Sequence, residues 1–214
     1  MNQHEMLHLQ NVNRAGIMGG TFDPIHQGHL VTAEAARSEF KLEKVVFVPS
    51  GQPPHKRGLQ ISPKEDRYLM SVLATAANPY FEVSRTEIDR PGESYAYETV
   101  RYFKEIMPER SELFFITGAD AIMEIVTWKN VGLLLEMCTF IAATRPGYSL
   151  HELKEKLISN ISTVYAHKII PLEVPAMAIS STDIRQRVKS KCTIKYLLPE
   201  AVENFIQKND LYQK

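Results

Sequence analysis

Two histidines stand three positions apart in a segment that follows a glycine pair, residues 19–29, which reads GGTFDPIHQGH. The segment lies between an apolar run and an amphipathic stretch, so it is expected to join a strand to a helix. Paired glycines let backbone N–H groups approach an anion, and a helix N-terminus adds partial positive charge. Because residues i and i+3 share a helix face, both imidazoles can donate N–H bonds to phosphate oxygens. The segment therefore predicts a phosphate site suited to group transfer.

The segment has two other interpretations. It could be an ordinary strand-turn-helix connection that carries two surface histidines. It could also hold a metal ion, but no third His, Cys or acidic residue stands at a convincing spacing from His26 and His29. The phosphate interpretation is favoured because the complete string is specific, and no protein-bound metal is predicted.

A second polar segment, residues 179–185, reads ISSTDIR. Ser180 or Ser181 can cap the helix that follows, and the first amides of that helix would point at an anion. Arg185, one turn into the helix, has the forked guanidinium that clamps pyrophosphate oxygens. A serine cap alone is a common structural feature, and it is the presence of the first segment in the same chain that favours a phosphate role.

The elements that must position these residues alternate between strands and helices. Short runs rich in Val, Ile and Phe predict strands at 15–19, 45–49, 81–83, 113–117, 139–143 and 169–172. Helices are expected at 27–40, 63–77, 97–106, 150–158 and 199–207. Ser62 is the expected N-cap of the second helix with Pro63 at its first position, and its apolar stripe is Leu69, Val72, Leu73 and Ala76. This alternation predicts a doubly wound α/β fold with a mostly parallel sheet, a small C-terminal helical portion, and ligands beyond the carboxyl ends of the strands.

The composition of the 214-residue chain fits an ordinary globular protein with 44% hydrophobic and 23% charged residues. Lys plus Arg equals Asp plus Glu at 25 each, which argues against non-specific nucleic-acid binding. No apolar run reaches the ~20 residues that span a membrane. Two distant cysteines, Cys138 and Cys192, indicate reduced thiols and a cytoplasmic protein, with Cys138 expected in the core. Residues 1–14 are expected to form a flexible tail and 15–214 a single domain.

The first segment resembles the G-T-F-D-P…H-x-G-H signature of the HIGH-type nucleotidyltransferase superfamily, and ISSTDIR resembles its second, Ser/Thr-rich signature. This resemblance implies a Rossmann-like nucleotidyltransferase fold, with His29 nearest the transferred phosphorus. Gly118 and Asp120 resemble the G-x-D of the superfamily, which contacts the adenosine; a helix N-cap is the alternative for Asp120. The implied ATP-binding residues are Gly19, Gly20, Thr21, Phe22, His26, Gly28, His29, Gly118, Asp120, Ile179, Ser180, Ser181 and Arg185.

Further segments resemble the acceptor site of bacterial nicotinate-nucleotide adenylyltransferases. GQPPHK, residues 51–56, resembles a loop that presents His55 and Lys56 to a phosphate; the alternative is a solvated basic loop. RPGESY, residues 90–95, resembles the family's S-Y-T segment, in which backbone N–H groups bind the nicotinate carboxylate, with Ala96 in place of threonine. The implied substrate-binding residues are His55, Lys56, Tyr95, Ala96, Trp128 and Arg145.

Trp128 and Arg145 each have an alternative interpretation, and Lys129 departs from the family pattern. Trp128 would stack on the pyridine ring, although a lone tryptophan is more often part of a core. Lys129 stands where this family often has an aromatic residue or His. Arg145, in the segment TRPG, would contact a phosphate, or would only belong to a structural turn.

The resemblance implies transfer of the adenylyl group of ATP to nicotinate mononucleotide, giving deamido-NAD and pyrophosphate by direct in-line attack. His26, His29 and Arg185 would be catalytic, and Mg²⁺ would arrive with ATP. An adenylyltransferase for nicotinamide mononucleotide and a non-catalytic nucleotide sensor with the same fold are the alternatives. More distant alternatives are pantetheine-phosphate or glycerol-phosphate nucleotidyl transfer and an RNA-binding synthetase fragment. Assembly into homo-oligomers is left open.

Overall fold

A parallel sheet forms the centre of the protein in a computed structural model that describes residues 9–144, 163–175 and 177–213. Its strands are β1 (Arg14–Gly20), β2 (Lys44–Pro49), β3 (Phe81–Val83), β4 (Glu112–Gly118), β5 (Thr139–Thr144) and β6 (Ile169–Glu173). They lie in the order β3-β2-β1-β4-β5-β6, and every neighbouring pair is parallel. Each predicted strand is present to within one residue at either end, and the doubly wound α/β prediction is confirmed.

Both faces of this sheet are apolar, which is why it is covered on both sides. On β1, Ile17 belongs to the hydrophobic cluster on one face and Met18 to the cluster on the other. Phe115 and Phe114 of β4 divide in the same way. Strands that bury both faces need helices on each side, and crossover helices between parallel strands supply them.

The helices are α1 (Gln27–Glu39), α2 (Lys64–Thr75), α3 (Thr86–Asp89), α4 (Ala96–Ile106), α5 (Ala119–Met123), α6 (Val131–Met137), α7 (Thr163–Ala166), α8 (Ser181–Lys189) and α9 (Glu200–Lys208). Single turns of 3₁₀ helix occupy Pro54–Lys56 and Ile125–Thr127. The predicted helices at 27–40, 97–106 and 199–207 are confirmed as α1, α4 and α9. The helix predicted at 150–158 lies outside the described residues.

The helix predicted at 63–77 is present as α2, but two details of that prediction are wrong. The N-cap is Pro63 rather than Ser62, and no side chain caps this end. The apolar stripe is exposed, with Leu69, Val72 and Leu73 at 44%, 36% and 37% accessibility. The face turned inward carries instead Arg67, Met70, Ser71 and Thr75.

Polar side chains can occupy the inner face of α2 because each finds a partner there. The Ser71 hydroxyl donates to the carbonyl of Arg67 at 2.8 Å, and the Thr75 hydroxyl donates to the carbonyl of Ser71 at 2.9 Å. A buried polar group with a hydrogen-bond partner carries little desolvation cost. Tertiary contacts thus override the hydrophobic periodicity of this helix.

Residues 9–14, which the sequence analysis assigns to a flexible tail, lie within the described chain. Leu9 and Val12 are 1% and 6% exposed and pack in the hydrophobic cluster of one sheet face. Arg14 already belongs to β1. The remainder of the predicted tail lies outside the described part.

Within residues 9–144, 163–175 and 177–213, no helix has the length and apolarity needed to cross a membrane. Both cysteines are free, Cys138 buried and Cys192 exposed. Burial raises the pKa of the Cys138 thiol to about 12, as expected for a core cysteine.

Candidate active site

The two histidines of the first segment lie together at the start of α1. His26 is the N-cap residue, and its backbone N–H donates to Nδ1 of His29 at 3.2 Å. The two rings stack with their centroids 3.8 Å apart and their planes 27° from parallel. This bond from the cap backbone to the ring explains locally why a histidine at the third helical position turns back towards the cap. The i, i+3 spacing thus places both rings on one side of the turn, as predicted.

Burial makes both imidazoles neutral at ordinary pH. It lowers the pKa of His26 to about 4, and it lowers the pKa of His29 well below its usual value, with a smaller effect from His26 nearby. Because Nδ1 of His29 accepts a hydrogen bond, its proton lies on Nε2. Within the described residues, Nδ1 of His26 is buried and has no hydrogen-bond partner. The pair can therefore donate to a ligand without bringing full positive charges.

A cavity of about 500 Å³ opens between the carboxyl ends of β1 and β4. This is where the strand order reverses, the usual ligand crevice of doubly wound folds. Seven of the predicted ATP-binding residues line it: Gly19, His26, Gly28, His29, Gly118, Asp120 and Ile179. We call it the adenosine cavity, after the ligand that the sequence analysis predicts for these residues. A Cβ on Gly28 would lie 3.1 Å from the His26 ring, so a glycine here keeps the wall beside that ring open.

The alternative interpretation of Asp120 as a helix N-cap is wrong. Gly118 is the N-cap of α5, no side-chain hydrogen bond caps that helix, and Asp120 stands in its first turn. Its side chain is exposed and lines the adenosine cavity. The carboxylate is therefore available to a ligand in that cavity.

A second cavity of about 490 Å³ lies beside the first, and His29 lines both. We call it the phosphate cavity, after the ligand that the sequence analysis predicts for these residues. Its predicted site residues are Thr21, Phe22, His29, Lys56, Ser181 and Arg185. Sequence reasoning missed Asp23 and Thr182, which also line it. Both stand inside the quoted segments, so a reading of every polar residue in those segments would have found them.

The second segment docks directly on the first. Ser180 caps α8, and its hydroxyl accepts from the backbone N–H of Asp183 at 3.1 Å. The Ser181 hydroxyl donates to the carbonyl of Pro24 at 2.9 Å, and Nη1 of Arg185 donates to the carbonyl of Asp23 at 2.7 Å. The fold thus joins segments that are 162 positions apart in the chain.

The fork of Arg185 is only partly available for the predicted bidentate clamp. Besides its bond to Asp23, Arg185 donates from Nη2 to the Thr182 hydroxyl at 3.3 Å. The guanidinium still lines the phosphate cavity. Its charge therefore remains near the cavity while its geometry is fixed by the protein.

The two acceptor segments also meet. The Ser94 hydroxyl accepts from the backbone N–H groups of Gly51 and Gln52 at 2.9 and 3.2 Å, and the Ser94 N–H donates to the Gln52 carbonyl at 2.9 Å. Gly51 lies so close to the next element that a Cβ would stand 2.1 Å from the carbonyl oxygen of Glu87. Lys56 ends a 3₁₀ turn and lines the phosphate cavity, whereas the His55 side chain lies outside the described part.

Tyr95 and Ala96 stand at the N-terminal end of α4, as its N-cap and first residue. The Tyr95 hydroxyl bonds to the Glu93 carboxylate. Nζ of Lys129 lies 4.2 Å from the centre of the Tyr95 ring and 3.2 Å from Oε1 of Glu98. The unusual residue at position 129 thus places a paired cation beside the predicted carboxylate site.

Trp128 contacts the core as well as facing outward. Its ring is half-buried and meets the rings of Phe115 and Phe140 edge to face, with centroids 5.9 and 6.0 Å away. These contacts support the core interpretation and leave stacking on a pyridine ring a prediction. Arg145 lies outside the described residues, so its predicted role is not tested by the structure.

Metal ligands are sparse around both cavities. Across the described ranges, no group of three or more His, Cys, Asp or Glu side chains could hold a metal ion. The Asp23 carboxylate already accepts from the Tyr212 hydroxyl at 2.7 Å and from the Ser62 N–H at 3.3 Å.

Comparison with known proteins gives concordant results. The cytidylyltransferase-like family matches residues 17–187. A probable nicotinate-nucleotide adenylyltransferase of a Thermoanaerobacter species is 59% identical over 201 residues, which cover 94% of this chain and 95% of that protein. One from Moorella thermoacetica is 60% identical over 200 residues, with 94% and 92% covered. Among solved structures, Plasmodium falciparum nicotinic acid mononucleotide adenylyltransferase complexed with NaAD has a TM-score of 0.74 at 18% identity, with 94% and 97% covered.

Proposed function

This chain belongs to the nicotinate-nucleotide adenylyltransferases of the cytidylyltransferase-like family, and on that premise we propose that it transfers the adenylyl group of ATP to nicotinate mononucleotide. The products are deamido-NAD and pyrophosphate. The observation that carries the proposal is the position of His29, a neutral donor that lines both the adenosine cavity and the phosphate cavity.

ATP would lie across the two cavities. Its adenosine would occupy the cavity lined by Gly118, Asp120 and Ile179, and its triphosphate would pass His29 towards Arg185. Each cavity has the few-hundred-Å³ size of a small-ligand site. The remaining residues of the predicted ATP site would surround this path or form the turn beneath it: Gly19, Gly20, Thr21, Phe22, His26, Gly28, Ser180 and Ser181.

The chemistry would be a direct displacement at phosphorus. An oxygen of the acceptor 5′-phosphate attacks the α-phosphorus of ATP, the bond to the bridging oxygen breaks, and its electron pair leaves with pyrophosphate. Such a reaction asks a protein for positioning and for stabilisation of charge. Neutral His26 and His29 would donate N–H bonds to the phosphate oxygens, and Arg185 would offset charge on the departing pyrophosphate.

A divalent cation fits this site as a companion of the nucleotide. The described residues offer no three-ligand cluster, and the Asp23 carboxylate is engaged within the protein. We propose that Mg²⁺ arrives with ATP and is held mainly by phosphate oxygens and water. When bound, it offsets negative charge on the triphosphate.

The acceptor would bind beside the phosphate cavity. Lys56 would contact its 5′-phosphate, with His55 and Arg145 as further basic partners. The nicotinate carboxylate would meet the backbone N–H groups of Tyr95 and Ala96, because the N-terminus of α4 favours an anion. Trp128 would border the pyridine ring. A neutral carboxamide gains less from this helix end, which is why we propose the nicotinate acceptor. The free thiols fit a cytoplasmic setting.

The test is pyrophosphate release with ATP and Mg²⁺, with nicotinate and nicotinamide mononucleotides compared side by side. We expect a clear preference for the nicotinate form. A preference for nicotinamide mononucleotide would overturn the acceptor and keep the chemistry. Binding of ATP without pyrophosphate release from either acceptor would overturn the enzymatic proposal and indicate a nucleotide sensor.

A further inference from the structure

A buried arginine connects the loops of the two proposed substrate sites. Arg67 of α2 is 1% exposed. Its guanidinium donates from Nη1 to the Thr21 carbonyl at 2.8 Å, from Nη2 to the Gly51 carbonyl at 3.2 Å, and from Nε to the Ser62 carbonyl at 3.0 Å. All three acceptors are backbone oxygens, so the side chain holds the main chain of three separate segments.

In the proposed reaction, two of these segments would contact different substrates. Thr21 lies in the turn between β1 and α1, which lines the phosphate cavity. Gly51 begins the loop that carries Lys56, and Ser94 holds that loop from its other side. The guanidinium is rigid and planar, so its Nη atoms fix the spacing between the Thr21 and Gly51 carbonyls.

The cost of burying this cation indicates that a specific geometry is being maintained. Desolvation lowers the pKa of Arg67, and the nearby Asp23 carboxylate acts in the opposite direction. Asp23 is itself buried and is held by the Tyr212 hydroxyl at 2.7 Å and the Ser62 N–H at 3.3 Å. An apolar side chain of similar volume would fill the same space without that desolvation cost.

We propose that Arg67 is a positioning residue that sets the distance between the ATP turn and the acceptor loop, with Asp23 and Tyr212 completing its surroundings. This inference rests on the proposed function, because it assigns the two loops to two substrates. Attack on phosphorus requires the reacting atoms to be held within about 0.5 Å of their productive positions. Each loop can still bind its own substrate when the connection between them is loosened.

The experiment compares Arg67→Lys with the wild-type chain and with a matched control, Thr75→Val. Lysine keeps the charge but cannot reach three carbonyls in a fixed plane. Thr75 is buried on the same face of the same helix, and its hydroxyl bonds only within that helix. The measurements are kcat, the Kd of ATP alone, the Kd of nicotinate mononucleotide alone, and the Kd of deamido-NAD, which spans both sites.

For Arg67→Lys we expect kcat to fall about 100-fold and the Kd of deamido-NAD to rise about tenfold. The Kd of ATP and the Kd of nicotinate mononucleotide should each change by less than about threefold. Thr75→Val should lower thermal stability without this separation. The proposal is overturned if folded Arg67→Lys retains wild-type kcat and deamido-NAD affinity. It is equally overturned if ATP and nicotinate mononucleotide each lose as much affinity as deamido-NAD does.

A second variant covers the case in which Arg67→Lys does not fold. Tyr212→Phe removes the hydroxyl that donates to Asp23 and keeps the half-buried ring. We expect kcat to fall about fivefold, the equivalent of one ordinary hydrogen bond, with mononucleotide binding unchanged. An unaltered kcat would refute the network. If the wild-type chain releases no pyrophosphate, the proposed function is refuted instead. The wild-type chain is therefore assayed before any variant.

Discussion

Replacement of His29 by alanine removes two interactions that the structure separates clearly. One is the Nε2–H donor at the junction of the two cavities, and the other is the Nδ1 acceptor of the His26 N–H. Loss of a donor aimed at developing charge lowers kcat by roughly 10²–10³. Loss of the helix cap lowers the free energy of unfolding by about 1 kcal/mol. Because His29 does not line the nicotinate end of the proposed site, acceptor binding should change little.

The assay is pyrophosphate release at saturating substrates, with calorimetric titration of nicotinate mononucleotide and denaturant unfolding of the same samples. His29→Gln serves as the control, because glutamine at this helical position can still accept from the N-cap N–H. It should restore most of the lost stability and leave kcat at least tenfold below wild type. The reasoning is refuted if the acceptor affinity of His29→Ala falls as far as kcat. A glutamine variant as unstable as the alanine variant would refute the capping argument.

Three further predictions concern stability, the acceptor loop and the thiols. Burial lowers the pKa of His26 from 6.5 to about 4, so the folded state binds fewer protons in that window, and stability present above pH 6.5 is lost as pH falls towards 4. The free energy of unfolding should fall by about 3 kcal/mol over this range. Denaturant unfolding at several pH values should show a weaker pH dependence of stability for His26→Asn than for wild type. The same pH dependence in both chains would contradict this prediction. Gly51→Ala must displace the Glu87 carbonyl, which should lower the free energy of unfolding by about 1–3 kcal/mol. The KM of the acceptor should rise more than the KM of ATP. An unchanged melting temperature together with unchanged KM values would exclude this clash. In the native chain a thiol reagent at pH 8 should modify Cys192 alone, and Cys138 only after denaturation, since burial raises the pKa of Cys138 to about 12; rapid modification of both would show that the core is open.

The sequence by itself determined the features that depend on a few neighbouring residues. Strands were placed to within one residue because runs that bury both faces are recognisable locally. The stacking of His26 and His29 follows from the geometry of one helical turn, and the Ser180 cap follows from the same rule at α8. The resemblance carried by these segments was sufficient to indicate the family, because its signatures lie within continuous stretches of chain.

Only the tertiary structure decided what depends on distant backbone. Arg185 meets the carbonyl of Asp23 across 162 positions, and no local pattern encodes that approach. The inner face of α2 shows the same limit, because Leu69 and its neighbours on the apolar stripe are left exposed. Arg67 occupies the core instead, since three carbonyls from three segments converge on its guanidinium. Hydrophobic periodicity depends only on the polarity of each side chain. Burial of a cation depends on hydrogen-bond partners that only the folded chain supplies.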